Sequence, residues 1–152
     1  TTQGGSQGLI RDFYASSGPG GVFVAATASV WRDTYPSSDG TEVRISQNYP
    51  IVADTHHGAP ALFVLSGHRL VRIEGGRATV LANQQDVGGR VALVGDDVYW
   101  TNPQSGAVRK ISVYGGALDT VAVGQAHASV ISADADSVYW ASDTGLVRAT
   151  PR

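Results

Sequence analysis

The stretch Asp96-Asp97-Val98-Tyr99-Trp100 returns forty residues later as Asp136-Ser137-Val138-Tyr139-Trp140. The similarity extends over residues 78–100 and 118–140 without a gap, and six of these 23 aligned positions are identical. Roughly one or two identities would be expected from average residue usage. The chain therefore contains an internal repeat, and the fold has to be predicted from the repeated unit.

Two weaker copies of the pattern lie upstream of this pair. Ala61–Val64 replaces the aromatic motif and precedes Gly67–Ile73, and Ser29–Arg32 precedes Asp39–Ile45 in the same way. The motifs begin near residues 30, 61, 98 and 138, which predicts a single domain of repeated units over residues 1–152. The units lie near 22–49, 50–89, 90–128 and 129–152, with 9–14 added to the last.

The third unit predicts four short strands separated by turns. The strands are expected at Arg90–Val94, Val98–Thr101, Ala107–Ile111 and Leu118–Val123. Valine, isoleucine and aromatic residues favour strands, and the pair Gly115-Gly116 suits a tight turn because glycine accepts a positive φ. We find no window with helical spacing of apolar residues that lacks glycine or β-branched runs, so an all-β fold is predicted.

Four-stranded antiparallel units at intervals of about 40 residues match the blades of a β-propeller. A single blade exposes both faces, whereas blades packed around an axis bury both. Such packing would explain why Val98, Tyr99 and Trp100 are all large and do not alternate with polar residues. We expect about four blades, with Leu9–Tyr14 as the outer strand of the last one, which would remove an unpaired edge.

The composition excludes several classes of protein. A hydrophobic content of 42% and a charged content of 16% indicate a folded domain. The net charge of −2 without a basic block argues against a nucleic-acid partner. Cysteine is absent, which excludes disulfides and thiolate metal sites. The longest apolar run, Val22–Trp31, is too short to span a membrane.

The best-preserved unit resembles the YWTD-type β-propeller repeat, especially its bacterial variety with a "SVYWTN…G.V.K…GG" pattern in each blade. The resemblance rests on Val98–Asn102, Gly106–Ile111 and Gly115-Gly116, and less fully on Asp136–Trp140 and Gly145–Arg148. It implies that the aromatic motif is a structural second strand and that the protein binds extracellularly rather than catalyses. The family usually closes six blades, so this chain is either a four-bladed variant, or further blades come from a missing segment or another chain.

Metal binding and catalysis find little support in the sequence. Asp54-Thr55-His56-His57 holds clustered metal-type ligands, but adjacent histidines on an extended segment point to opposite sides. We interpret this segment as a loop in which Asp54 caps a turn. No cofactor, metal site or catalytic residue is predicted, since no Gly-x-Ser-x-Gly motif and only two glutamates exist. Metal-dependent propeller lyases and lactonases keep an enzyme open as an alternative.

Each unit also places an arginine after a valine on its third strand. A ring of these arginines could face an anionic ligand. The preferred interpretation is that each pairs with an acidic residue or stacks on an aromatic ring. The four residues are Arg44, Arg72, Arg109 and Arg148.

A ligand would be expected on the loops that leave strand four and join strands two and three. Gln85 and Gln125 hold equivalent positions, as repeated sugar-binding pockets would require. An ordinary structural repeat produces the same pattern and is the preferred interpretation. The candidate ligand-binding residues are Tyr49, Gln85, Asp86, Asn102, Gln104, Gln125 and His127.

The sequence therefore favours a non-catalytic binding or scaffold module of an exported bacterial protein. The alternatives are a carbohydrate-binding lectin and a propeller-type lyase or hydrolase. A protein or carbohydrate is the expected ligand on the loops, and an oligomer or second chain could complete the ring. The chain begins at Thr1 and has no methionine, so a secreted or cell-envelope location after removal of an N-terminal segment is expected.

Overall fold

The computed structural model describes residues 15–18, 21–24, 34–37, 39–44, 51–54, 61–75 and 77–149. These residues form strands and turns, and the described part of the chain contains no helix. It therefore contains no helix long and apolar enough to cross a membrane. The all-β prediction is confirmed.

Within these described ranges, fifteen strands form five antiparallel sheets. Sheet 1 contains β1 (Ala15–Gly18) and β2 (Gly21–Val24). Sheet 2 contains β3 (Thr34–Pro36) and β4 (Glu42–Arg44). Sheet 3 contains β5 (Ile51–Asp54), β6 (Ala61–Ser66), β7 (Arg69–Glu74) and β8 (Arg77–Ala82). Sheet 4 contains β9 (Val91–Val94), β10 (Asp97–Asn102), β11 (Ala107–Ser112) and β12 (Asp119–Ala122). Sheet 5 contains β13 (Val130–Ala133), β14 (Val138–Ser142) and β15 (Gly145–Ala149).

Sheets 3 and 4 have the same plan, in which four strands pair in chain order. The third and fourth strands also share an irregularity. The register shifts after Leu70 in β7 and after Val108 in β11. The four predicted strands of the third unit coincide with β9 to β12 to within one residue at each end.

The N-terminal part of the chain differs from the predicted unit. The strand that pairs with Glu42–Arg44 is Thr34–Pro36, downstream of the expected Ser29–Arg32. Gly21–Val24 forms a hairpin with Ala15–Gly18, which the sequence did not predict. The predicted outer strand at Leu9–Tyr14 lies outside the described residues, as do 29–33.

The described residues form three apolar clusters, each between consecutive sheets. Tyr35 and Val43 of sheet 2 pack on Val64 and Val71 of sheet 3. The opposite face of sheet 3 contributes Phe63, Leu65 and Leu70 to a cluster with Val98, Trp100 and Ile111 of sheet 4. The other face of sheet 4 contributes Tyr99 and Val108, which pack on Val138 and Trp140 of sheet 5.

This packing accounts for the aromatic motif. Successive side chains of a strand point to opposite faces, so Val98 and Trp100 enter one cluster while Tyr99 enters the next. All three are buried, with exposures of 0%, 0% and 2%. The explanation from the sequence, that sheet packing on both faces removes the polar alternation, is confirmed for β10.

Candidate functional site

Turns and links from three sheets meet at one end of the stack and form the surface that we call the loop face. Its turns join β6 to β7, β10 to β11 and β14 to β15, and its links run from β8 to β9 and from β12 to β13. Hydrogen bonds connect these segments directly. Gln125 N donates to Gly106 O at 2.8 Å, and His127 N donates to Pro103 O at 3.2 Å.

Gln85 lies at the base of the loop face and joins sheet 3 to sheet 4. Its backbone N donates to His68 O at 2.9 Å, and His68 Nδ1 donates to Gln85 O at 2.8 Å. Its side-chain Oε1 accepts hydrogen bonds from Trp100 Nε1 and Asn102 Nδ2, both at 2.9 Å. Its Nε2 donates to Asn83 O at 2.5 Å. Gln85 is 2% exposed, so its amide atoms serve the packing of the two sheets.

Gln125 repeats this arrangement between sheet 4 and sheet 5. Its Oε1 accepts a hydrogen bond from Trp140 Nε1 at 2.9 Å, and its Nε2 donates to Val123 O at 3.0 Å. Ser142 replaces the asparagine of the first site, and its Oγ lies 3.5 Å from Gln125 Oε1. Gln125 is half-buried rather than buried. The indole nitrogens of Trp100 and Trp140 are therefore each paired with a glutamine of the preceding link.

Asp86 connects the link between β8 and β9, the first link of the loop face, to the turn after β10. Its Oδ2 accepts hydrogen bonds from Ser105 N at 2.6 Å and Ser105 Oγ at 3.0 Å. Its backbone N donates to Asn102 Oδ1 at 2.9 Å. Asn102 thus uses both atoms of its amide within the same network and is 1% exposed.

His127 lies in the link between β12 and β13, the second link of the loop face, and contacts the turns after β10 and after β14. Its Nδ1 lies 2.6 Å from Asp143 Oδ2, while Asp143 N donates to Ala126 O at 3.0 Å. The His127 and Asp143 side chains are 78% and 59% exposed. The hydrogen bond to Asp143 and its negative charge raise the pKa of His127 above its ordinary value.

The structure places six of the seven predicted ligand-binding residues on the loop face. Gln85, Asp86 and Asn102 form one network, whereas Gln125 and His127 lie in the second link. Gln104 is exposed in the turn after β10. Tyr49 lies outside the described residues.

The cations of the third strands do not occupy equivalent positions. Arg109 pairs with Trp100 across β10 and β11, while Lys110 pairs with Tyr99. In sheet 3, Arg72 pairs with Phe63, which packs toward the following sheet as Tyr99 does. Lys110, rather than Arg109, therefore corresponds to Arg72.

Both of these cations are neutralised by a carboxylate of their own sheet. Arg72 Nη2 lies 3.0 Å from Glu74 Oε2, and Arg72 Nη1 donates to Val113 O of the next sheet at 3.0 Å. Lys110 Nζ lies 3.1 Å from Asp97 Oδ2, and this hydrogen bond raises the pKa of Lys110. For these two positions the structure supports pairing within the protein.

A small cavity of about 40 Å³ lies between sheets 3 and 4, at the end opposite the loop face. It is lined by Asp54, Ala61, Phe63, Arg72, Glu74, Val113 and Tyr114. Asp54 is 2% exposed, and the residues 55–57 that follow it lie outside the described part of the chain. The described residues hold no group of three histidine, cysteine or acidic side chains placed to bind a metal.

The turn before β14 is capped by Asp134, two residues upstream of the aromatic motif. Asp134 Oδ1 accepts hydrogen bonds from Asp136 N at 2.9 Å and Ser137 N at 2.7 Å. Its Oδ2 accepts a hydrogen bond from Tyr139 Oη at 2.7 Å. Asp134 therefore caps this turn.

The sequence reasoning missed the partners of the two glutamines. The predicted site omitted Trp100, Trp140 and Ser105, which supply donors to it. A signal was available, since Gln85 precedes Trp100 by fifteen residues and Gln125 precedes Trp140 by the same number. A donor and an acceptor that keep their separation in two units indicate a conserved contact within the repeat.

Comparison of the whole chain with models of protein families gave no match, and neither did comparison with curated proteins.

Proposed function

We propose that the protein is a non-catalytic binding or scaffold module of the β-propeller type, with the loop face as its ligand surface. The observation that carries this proposal is the network that fixes the loop face. Links and turns of three sheets are joined through Gln85, Asp86, Gln125 and His127. Loops held on a rigid scaffold are the usual place for binding residues.

The packing of the sheets supports the propeller architecture. Sheets 2 to 5 follow one another in chain order, with an apolar cluster at each junction. The first strands β5, β9 and β13 lie next to one another, as strands near a common axis would. The exported, cell-envelope location belongs to the same proposal and depends on the resemblance of Val98–Asn102 to the YWTD-type repeat.

The exposed residues of the loop face suit a protein partner. Val87 is 48% exposed, and Gln104 and His127 are also exposed above the buried network. Protein interfaces combine apolar and polar groups in about the proportions of other surfaces, and the mixture of an apolar group, an amide and an imidazole meets that requirement. The two glutamines on which a lectin site would depend use their amide atoms within the protein.

Site-specific photo-crosslinking tests the proposal. A photoreactive amino acid replaces Gln104 on the loop face, and a matched variant carries it at Arg77, which is exposed at the opposite end of sheet 3. In an extract of the source cells, we expect a defined protein to be crosslinked from position 104 and not from position 77. The purified partner should then bind Val87→Glu more weakly than the unchanged protein.

Two results would contradict the proposal. Equal crosslinking from both positions would show that the loop face is not selective. Saturable binding of a sugar on a glycan array, abolished by changes at the loop face, would favour the lectin alternative instead.

A further inference from the structure

Arg109 departs from the repeat at the junction between sheets 3 and 4. It pairs with Trp100, whose ring enters the cluster between these two sheets, so the Arg109 side chain lies on the face toward sheet 3. The equivalent positions on the third strands of sheets 3 and 5 are Val71 and Val147, which also pack toward the preceding sheet. A position that is apolar at the other two junctions therefore carries a guanidinium group here.

The guanidinium of Arg109 has no partner within the described part of the chain. Arg72 and Lys110 each form an ion pair with a carboxylate of their own sheet, and Lys110 also lies 6.0 Å from the centroid of the Tyr99 ring. Among the described residues, Arg109 makes neither kind of contact, and its Nε is buried without a hydrogen-bond acceptor. Burial of a charge without a partner is costly, and such departures from the pattern of a fold are concentrated at functional sites.

We propose that Arg109 anchors a binding site for a ligand that carries an oxyanion, either a carboxylate or a phosphate group. The Nε of Arg109 is buried while the residue as a whole is half-buried, so its terminal nitrogens Nη1 and Nη2 reach the solvent. Their N–H groups form a planar fork that matches two oxygen atoms of an oxyanion. The exposed Thr120 of the outermost strand β12 pairs with Arg109 and places a hydroxyl group on the same face.

The surroundings of Arg109 strengthen its attraction for an anion. Trp100 beside it is 0% exposed, and the apolar cluster at this junction excludes water from one side of the guanidinium. A charge that has lost part of its hydration gains more from a counter-ion than a fully hydrated charge, because the local dielectric constant is lower. A single fork binds a free anion weakly, and the rest of the ligand supplies further affinity. This site lies in a junction between sheets and does not depend on the function proposed for the loop face.

Titration followed by nuclear magnetic resonance tests the site directly. The Nε–H groups of Arg109 and Arg72 are both buried, so both are shielded from exchange with water and give observable signals. Inorganic phosphate and acetate each replace chloride in separate titrations at constant ionic strength. We expect at least one of them to shift the Arg109 signal to saturation. The Arg72 signal is the matched control and stays in place, because Glu74 already neutralises Arg72. The anion that binds more tightly distinguishes a phosphate ligand from a carboxylate ligand.

Variants of Arg109 then show whether its charge serves the fold or a ligand. Valine occupies the equivalent positions of sheets 3 and 5, so Arg109→Val should fold and should unfold at no lower temperature than the unchanged protein in chloride buffer. The binding anion raises the unfolding temperature of the unchanged protein by mass action, and by more than it raises that of Arg109→Val. Arg109→Lys keeps the charge without the fork and should bind the anion about tenfold more weakly. The control Arg77→Gln, at an exposed arginine, should respond like the unchanged protein.

Three outcomes overturn the inference. An Arg109 signal that neither phosphate nor acetate shifts to saturation would show that no oxyanion binds there. Equal stabilisation of Arg109→Val and of the unchanged protein by the anions would show that they act elsewhere on the molecule. A large loss of stability in Arg109→Val in chloride buffer would show that the chain itself uses the charge of Arg109.

Discussion

Single side chains join neighbouring sheets at the loop face. Gln85 uses its backbone N to contact the turn of one sheet and its side-chain oxygen to contact Trp100 of the next. A tryptophan that packs between two sheets buries a large apolar ring but also brings one N–H donor into the interior. The glutamine satisfies that donor, which makes packing between the sheets compatible with a polar ring atom.

Replacement of Gln85 should therefore reduce stability more than replacement of a surface glutamine. Gln85→Leu leaves the donors of Trp100 and Asn102 without their acceptor, and an unsatisfied buried polar group costs about 1–3 kcal/mol. We expect a loss of this order in the free energy of unfolding, measured by urea denaturation. Gln104→Leu, on the exposed turn, is the control and should change stability by less than about 0.5 kcal/mol. Equal losses for the two variants would contradict the role of Gln85.

Gly89 tests how closely the first link approaches β10. A Cβ atom at this position would lie 2.0 Å from Thr101 O, whereas a Cβ at Gly88 would meet open space. Gly88 has a φ of 87°, so Gly88→Ala incurs only the strain of a left-handed residue, about 1–2 kcal/mol. Gly89→Ala must also move the backbone of the link or of β10. Thermal denaturation should show a lower midpoint for Gly89→Ala, and the reverse order would contradict this packing.

The elements were easier to predict from the sequence than their registers. The strands β9 to β12 follow from short β-branched and aromatic runs between glycine turns, which are local signals. The positions of the cations on the third strands do not follow from local signals. The segments Ser105–Arg109 and Thr144–Arg148 align in sequence, yet Trp100 pairs with Arg109 while Trp140 pairs with Val147. The segment from the aromatic motif to the arginine is one residue longer in sheet 4 than in sheet 5. A shift of one residue moves a side chain to the other face of the sheet.

For the candidate site, too, the sequence predicted the elements but not the direction in which each side chain points. The sequence located the loops, because they leave strand four or join strands two and three of the predicted unit, and Gln85 and Gln125 hold equivalent positions there. It could not show whether each amide faces solvent or the next sheet, since that depends on how two sheets are packed. A ligand site and an internal hydrogen bond produce the same repeated residue, and the burial of Gln85 distinguishes them.

The link between sheets 4 and 5 should respond to pH through His127. Asp143 raises the pKa of His127 in the folded protein above the ordinary value of 6.5. The imidazolium pair therefore stabilises the fold fully below about pH 6.5, and this contribution is lost as the pH rises through the raised pKa. Nuclear magnetic resonance titration should show a lower His127 pKa in Asp143→Asn. Asp136→Asn, in the turn at the other end of sheet 5, should leave this pKa unchanged. A His127 pKa that is the same in the unchanged protein and in Asp143→Asn would contradict the pairing.

At the scale of the whole molecule, sheets 2 to 5 form a series in which each sheet packs on its neighbours in the chain. The clusters on the two faces of sheet 4 share no residue, so sheet 3 and sheet 5 are connected through sheet 4. Stability in such a series is close to a sum of the sheets and of the junctions between them. Among the described residues, sheets 3 and 4 each have two apolar junctions, whereas sheet 5 has one, through Val138 and Trp140.

Hydrogen exchange should consequently decrease in protection toward sheet 5. Opening of sheet 5 disrupts one cluster, whereas opening of sheet 4 disrupts two. Local opening of sheet 5 therefore has the lower free energy. We expect the amides of β14 to exchange faster than those of β10, although both carry a valine, a tyrosine and a tryptophan in the same order. Measurement at low protein concentration isolates the single chain. Equal exchange of the two strands in the dilute protein would show that the sheets open together as one unit.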